Sequence, residues 1–224
     1  MATAVETTKR TLEGEQRIVI RNVGWEGYES LLAMIGDGHG RLTFDGKDVE
    51  LMSPSQDHEF DKNTLGILIL TLAQELKFRC KGGASTTWRK KSLEQGFEAD
   101  LCYYMENSPK VRGKKGKIDL AGDPPPDLAV EVEISRSALN KLSIYAAFGV
   151  PEVWRYDGET LTIEILQADG TYACVPSSPR IPAITPEEVV HWVRFADSFD
   201  DDAEFCLQFR EWIRQELLPR HQAR

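Results

Sequence analysis

Nine consecutive residues constrain this chain more than any others: Pro126-Asp127-Leu128-Ala129-Val130-Glu131-Val132-Glu133-Ile134. Side chains alternate along a strand, so Leu128, Val130, Val132 and Ile134 share an apolar face, while Asp127, Glu131 and Glu133 share the other. A helical pattern over 138–148 follows, with Ser135 or Ser137 as its cap. Gly149-Val150-Pro151 closes it before a second strand over 152–156. Strand, helix and strand at this spacing make a crossover unit, so the two strands should be parallel neighbours in an α/β fold. A further strand segment, Gly96-Phe97-Glu98-Ala99-Asp100-Leu101, adds Asp100 to the acidic set. Carboxylates so crowded repel one another unless positive charge lies between them. A divalent cation is the simplest candidate, and hard oxygen ligands suit Mg2+ or Mn2+.

The remaining elements follow from punctuation and periodicity. Residues 1–15 are polar and expected to be loose. A strand over 17–23 leads to an amphipathic helix over 25–35, broken by the glycines from Gly36 to Gly40. Strands over 42–44 and 49–52 flank Asp45-Gly46, a hairpin signal. Ser55 can cap a helix running to about residue 78. Strands over 84–91 and 100–105, joined around Gly96, should pair antiparallel. The stretch 107–126 is rich in Lys, Gly and Pro and reads as an exposed excursion. A hairpin over 161–166 and 172–175 turns at Asp169-Gly170. Helices are expected over 186–196 and 202–218. Phe205, Phe209, Trp212, Ile213 and Leu217 form a wide stripe on the last, which serves either core packing or a homodimer contact. The organisation expected is a loose segment 1–15, one domain over 16–180, and a helical extension over 181–224 packed on it.

At 224 residues, with 41% hydrophobic and 28% charged residues, the chain can bury one substantial core as a soluble protein. Cys80, Cys102, Cys174 and Cys206 form no C-x-x-C pair, which argues against a zinc knuckle or redox motif and for free thiols. The first residues lack the basic and apolar regions of a signal peptide, and the longest apolar run, 65–73, is too short to span a bilayer. A cytoplasmic protein without a membrane partner is the expectation. The net charge of -9 argues against nucleic acid, but its distribution does not. Between Lys77 and Lys117 there are eleven Lys or Arg against four acids, a local balance of +7. Within that band, Arg89, Lys90, Lys91, Lys114 and Lys115 are candidates for contacting phosphates, the alternative being solvated loops. Trp88, Tyr103 and Tyr104 either stack on bases or fill the core.

Several pieces in order resemble the PD-(D/E)XK superfamily with the restriction-endonuclease-like fold, and within it the Uma-type family of endonucleases. They are Glu50-Leu51-Met52-Ser53-Pro54-Ser55 with His58-Glu59, Glu98-Ala99-Asp100, Pro126 to Glu133, and Tyr145-Ala146-Ala147-Phe148-Gly149-Val150-Pro151-Glu152-Val153-Trp154. The resemblance spans roughly 45–175. It implies a mixed β-sheet flanked by helices, and Mg2+-dependent cleavage of phosphodiesters. It also implies that Asp100 and Glu131 are metal ligands. Where the E-x-K element has lysine, this chain has Glu133. In the resembling family a basic residue in the following helix is thought to replace that lysine, and Lys141 is the residue here. On a helical wheel Lys141 falls on the flank beside Ala138 and Tyr145, from which its stem can return to the sheet. Alternatively, Glu133 is a third ligand or the general base, with the cation supplying all the positive charge.

Secondary candidates complete the set. Glu98 shares a face with Asp100 and reads as an outer ligand or a loop acid. Glu50, on an early strand, reads as an auxiliary acid or a solvated one. His58, in a first helical turn, is a proton shuttle if it lies near Asp100 and a capping or surface residue otherwise. Asp127 reads as a turn residue. The function expected is a metal-dependent deoxyribonuclease. The alternatives are a nuclease-fold protein that binds nucleic acid or a protein without cutting, and a hydrolase of smaller phosphate esters.

Overall fold

In the computed structural model, the described residues are 14–36, 38, 40–83, 87–114, 118 and 122–222. Two sheets form. The first has the order β1 (Gln16–Ile20), β3 (Val49–Ser53), β2 (Arg41–Phe44), β6 (Gln95–Glu98) and β5 (Thr87–Lys90). Its pairs are all antiparallel. The second has the order β11 (Tyr172–Val175), β10 (Leu161–Leu166), β9 (Glu152–Tyr156), β8 (Leu128–Val132), β7 (Leu101–Tyr104) and β4 (Lys81–Gly82). Only β8 and β9 run parallel in it, joined through α3 (Lys141–Phe148) as the crossover requires.

The apolar face read from the sequence is the core of the second sheet. Leu128, Val130 and Val132 pack with Leu65, Leu68 and Leu72 of α2 (Gln56–Leu76). The same core takes in α4 (Pro186–Ala196) and α5 (Asp202–Trp212), which passes through one π turn into α6 (Leu218–Gln222). Phe205, Phe209, Ile213 and Leu217 are buried there, so the stripe is spent on this chain's own core and gives no support to a homodimer. On the other face, Cys102, Tyr104 and Ala129 meet Ile144, Tyr145 and Phe148 of α3. The helix α1 (Gly24–Ile35) lays Tyr28 on Phe44, with ring centres 4.9 Å apart.

Two elements depart from expectation. The pair predicted across Gly96 does not form: β5 pairs with β6 in the first sheet, and Asp100 follows as the chain crosses to β7 in the second. The turn lies instead at residues 91–94, where Glu94 takes a left-handed φ of 47°. Gly96 sits inside a strand because Tyr28 packs over it. A Cβ there would overlap the Tyr28 hydroxyl, so glycine marks a close approach and not a turn. The second departure is that α3 starts at Lys141, with Asn140 accepting the Ser143 N–H at 3.3 Å, and neither Ser135 nor Ser137 caps it. Residues 133–140 are a connection, whose N–H groups need partners elsewhere. Trp88, Tyr103 and Tyr104 are all buried, so they are core residues and cannot stack on bases.

Candidate active site

The start of β7 and the end of β8 lie side by side. Their register pairs Leu101 with Val130 and Cys102 with Ala129, and one further step sets Asp100 across from Glu131. Both carboxylates are about 1% exposed. Groups buried so deeply need hydrogen-bond donors on every side, and both have them.

Glu131 is held by α3. Lys141 Nζ lies 2.6 Å from its Oε2, and the Tyr145 hydroxyl donates to its Oε1. Four residues apart on one helix, Lys141 and Tyr145 face the same way. A cation in the first turn of a helix opposes the helix dipole, and the Glu131 charge offsets that cost. Burial, and then the Glu131 charge, push the Tyr145 hydroxyl far above its ordinary value, so it remains a donor. Glu133 takes two donors from Arg155 on β9, Nη2 at 2.6 Å and Nε at 3.2 Å, and lies 3.9 Å from Lys141 Nζ. Arg155 in turn is the register partner of Glu131. Glu133, Lys141 and Arg155 line an open cleft of about 380 Å3, with Arg136 and Asn140 on its rim.

Asp100 is held from the other direction. Its Oδ2 accepts the Val132 N–H at 2.7 Å. Its Oδ1 faces His58 Nε2 at 3.1 Å and the Arg41 guanidinium. Arg41 reaches on to Glu59 at 2.7 Å. His58 is wholly buried, its backbone N–H capped by Ser55, and its Nδ1 lies 3.0 Å from Glu15. Glu15 was placed by the sequence in a loose segment, yet it is buried. Burial alone would raise its carboxyl, but hydrogen bonds from His58 and Ser135 outweigh that and bring it down to about 2.

The other candidates are placed as follows. Glu50 is 1% exposed and accepts from Arg17 at 2.7 Å, the Ser137 hydroxyl at 2.8 Å and the Ala138 N–H at 2.7 Å. It therefore braces the β8–α3 connection. Glu98 accepts from the Thr87 hydroxyl and, with Arg41, Glu59 and Lys62, lines a separate cleft of about 670 Å3. Asp127 accepts from the N–H groups of Met105 and Asn107 at 2.7 and 2.9 Å, which fixes the end of β7. In the basic band, Arg89 pairs with Glu29 at 2.8 Å and Lys114 pairs with Asp123. Lys90 is half-buried and Lys91 exposed, and none of the four lines the cleft at Glu133. Lys115 lies outside the described residues. Arg41, Tyr145, Arg155 and Glu15 were missed by sequence reasoning. Tyr145 was within its reach, since it lies four residues after Lys141.

Among the described residues, no three of His, Cys, Asp and Glu converge as a metal cluster. Two carboxylates on adjacent strand ends are nevertheless a donor set of the right kind for Mg2+, which keeps several waters and completes its shell with substrate phosphate. All four of their oxygens take protein donors, so an ion would replace Arg41 or Lys141 at one of them. No helix among the described residues is long and apolar enough to cross a membrane.

The sequence model of the Uma2 family, described as "Putative restriction endonuclease", matches residues 25–197. Among solved structures, the chain is similar to one titled "a putative nuclease belonging to DUF820 from Anabaena variabilis ATCC 29413". The two are 13% identical, with 68% of this chain and 90% of that one covered and a TM-score of 0.49. A search of curated proteins gave no match.

Proposed function

Since the chain belongs to the Uma2 family, we propose that it is a nuclease that hydrolyses phosphodiester bonds in DNA at the Asp100, Glu131 and Lys141 cluster. The observation that carries this reading is the Lys141 ammonium, 2.6 Å from Glu131 at the wall of an open cleft. The E-x-K element lacks its lysine at Glu133, and Lys141 brings a positive charge back to the same carboxylate from the next helix. Asp100 and Glu131 would hold Mg2+ or Mn2+. The ion, when bound, supplies charge neutralisation at the scissile phosphate and acidifies the attacking water.

The chain's own groups do the rest. Lys141 offers a donor to the negative charge developing on the phosphoryl oxygens, in a buried position where such a charge counts for more than in water. Glu133, drawn between Arg155 and Lys141, orients the lysine. Arg155 and Arg136 give the cleft a positive lining for the phosphates on either side. His58 keeps the Asp100 carboxylate in place.

A second reading has its own support: every oxygen of Asp100 and Glu131 is already satisfied by the protein, as in a site that no longer takes an ion. On that reading the protein binds nucleic acid without cutting. Cleavage of plasmid DNA in Mg2+ and in EDTA, with binding measured in parallel for wild type, Glu131→Gln and Lys141→Met, separates the two. Metal-dependent cutting lost in both variants supports the nuclease. Binding that persists in EDTA without product in any metal supports the second reading.

A further inference from the structure

Residues 133–140 carry the chain from Glu131 and Glu133 to Lys141 without regular secondary structure. The spacing of those three side chains therefore depends on what grips this connection. Two carboxylates do so, Glu50 on β3 and Glu15 just before β1. Glu15 Oε1 accepts the Ile134 N–H at 3.0 Å, and its Oε2 accepts the Ser135 N–H at 2.5 Å and the Ser135 hydroxyl. Glu50 accepts the Ala138 N–H at 2.7 Å. Arg17 joins them, with Nη1 2.7 Å from Glu50 and Nε 3.0 Å from the Ser135 hydroxyl. Glu15 alone also reaches the other half of the site, because its Oε1 meets His58 Nδ1 at 3.0 Å while His58 Nε2 meets Asp100 at 3.1 Å.

We infer that Glu15 is a positioning residue of the site, gripping the Glu131–Lys141 connection with both carboxylate oxygens and, through His58 at Oε1, the Asp100 carboxylate as well. Carboxylates only accept hydrogen bonds, so Glu15 at Nδ1 and Asp100 at Nε2 each set an acceptor against one ring nitrogen, and together they fix the orientation of the His58 ring. Glu15 and Arg17 both lie outside the 25–197 span of the family match. The inference rests on the nuclease reading for its kinetic consequence and on the geometry alone for its spectroscopic one.

The test uses the full chain with Glu15→Ala and the milder Glu15→Gln, which keeps one acceptor oxygen. Cleavage kinetics in Mg2+ are measured together with unfolding midpoints and long-range 15N spectra of the imidazoles, His58 being assigned with His58→Asn. Expected is a kcat lowered about 10- to 100-fold in Glu15→Ala and partly restored in Glu15→Gln. KM for DNA should stay unchanged, and the His58 nitrogens should shift in both variants. If Glu15→Ala does not fold, Glu15→Gln decides alone. A kcat per folded molecule equal to wild type, with only the unfolding midpoint lowered, would overturn the inference. Should the wild type cut no DNA, the nuclease reading falls and the spectra still decide, since unmoved His58 signals in Glu15→Gln contradict the positioning role.

Discussion

The two carboxylates at the heart of the site are held in opposite ways. Glu131 is held locally, by Lys141 and Tyr145 on the next helix, with the Glu133–Arg155 pair beside Lys141, and this half opens onto the cleft at Glu133. Asp100 is held by residues distant in sequence, Arg41 and His58, backed by Glu15 and Glu59, and His58 is sealed from solvent. On the proposed reading the first half would present groups to a substrate, while the second braces one carboxylate against three elements. Substitutions should therefore separate them: in the local half activity falls more than stability, and in the braced half both fall together.

The largest effects should come from the carboxylates. Asp100→Asn and Glu131→Gln are expected to lower cleavage of DNA at least about 1000-fold, measured as initial rates in Mg2+. Equal rates in either variant would remove that carboxylate from the chemistry. Lys141→Met should cost about 100- to 1000-fold in kcat, and urea unfolding should show a smaller stability loss than for Arg41, because Arg41 pairs with both Asp100 and Glu59, whereas without Lys141 the Tyr145 hydroxyl still donates to Glu131 and Arg155 still pairs with Glu133.

Arg41→Met probes the braced half. It strips a buried cation from Asp100 and should cost about 3–5 kcal/mol in urea unfolding. A loss no larger than that of Lys141→Met would erase the distinction between the halves. Acid should act on the same half through Glu15. Its folded pKa, about 2, lies below the ordinary 4.5, so its contribution is complete above 4.5 and disappears as the pH falls toward 2. At most this amounts to about 3 kcal/mol. Glu15→Gln should flatten the stability profile in that window and leave it unchanged in shape above it. The smallest effect belongs to the cleft rim: Arg136→Gln should raise KM for DNA about 3- to 10-fold and lower the salt slope of binding by about one.

The same contrast explains what was legible in the sequence. Lys141 as the returning cation was named from the family resemblance, but the alternation in Asp127 to Ile134 and the crossover to β9 depend on neighbours within about one helix and one strand. Such spacings are fixed by secondary-structure period. The braced half is assembled by pairing of β1 with β3 and by the chain's passage between two sheets at Asp100. No local period announces that Glu15 and Arg41 meet His58. Gly96 misled for a related reason, since its need for no side chain comes from Tyr28 far away in the chain. His58 carried a conditional expectation whose condition, proximity to Asp100, only tertiary structure could supply.

The most direct test is cleavage of supercoiled plasmid by the purified protein in Mg2+, Mn2+ and EDTA, beside Asp100→Asn prepared identically. Nicking or linearisation that needs the metal and vanishes in Asp100→Asn is the predicted result. Cutting that survives in Asp100→Asn, or none by the wild type in either metal, would contradict a nuclease centred on Asp100 and Glu131.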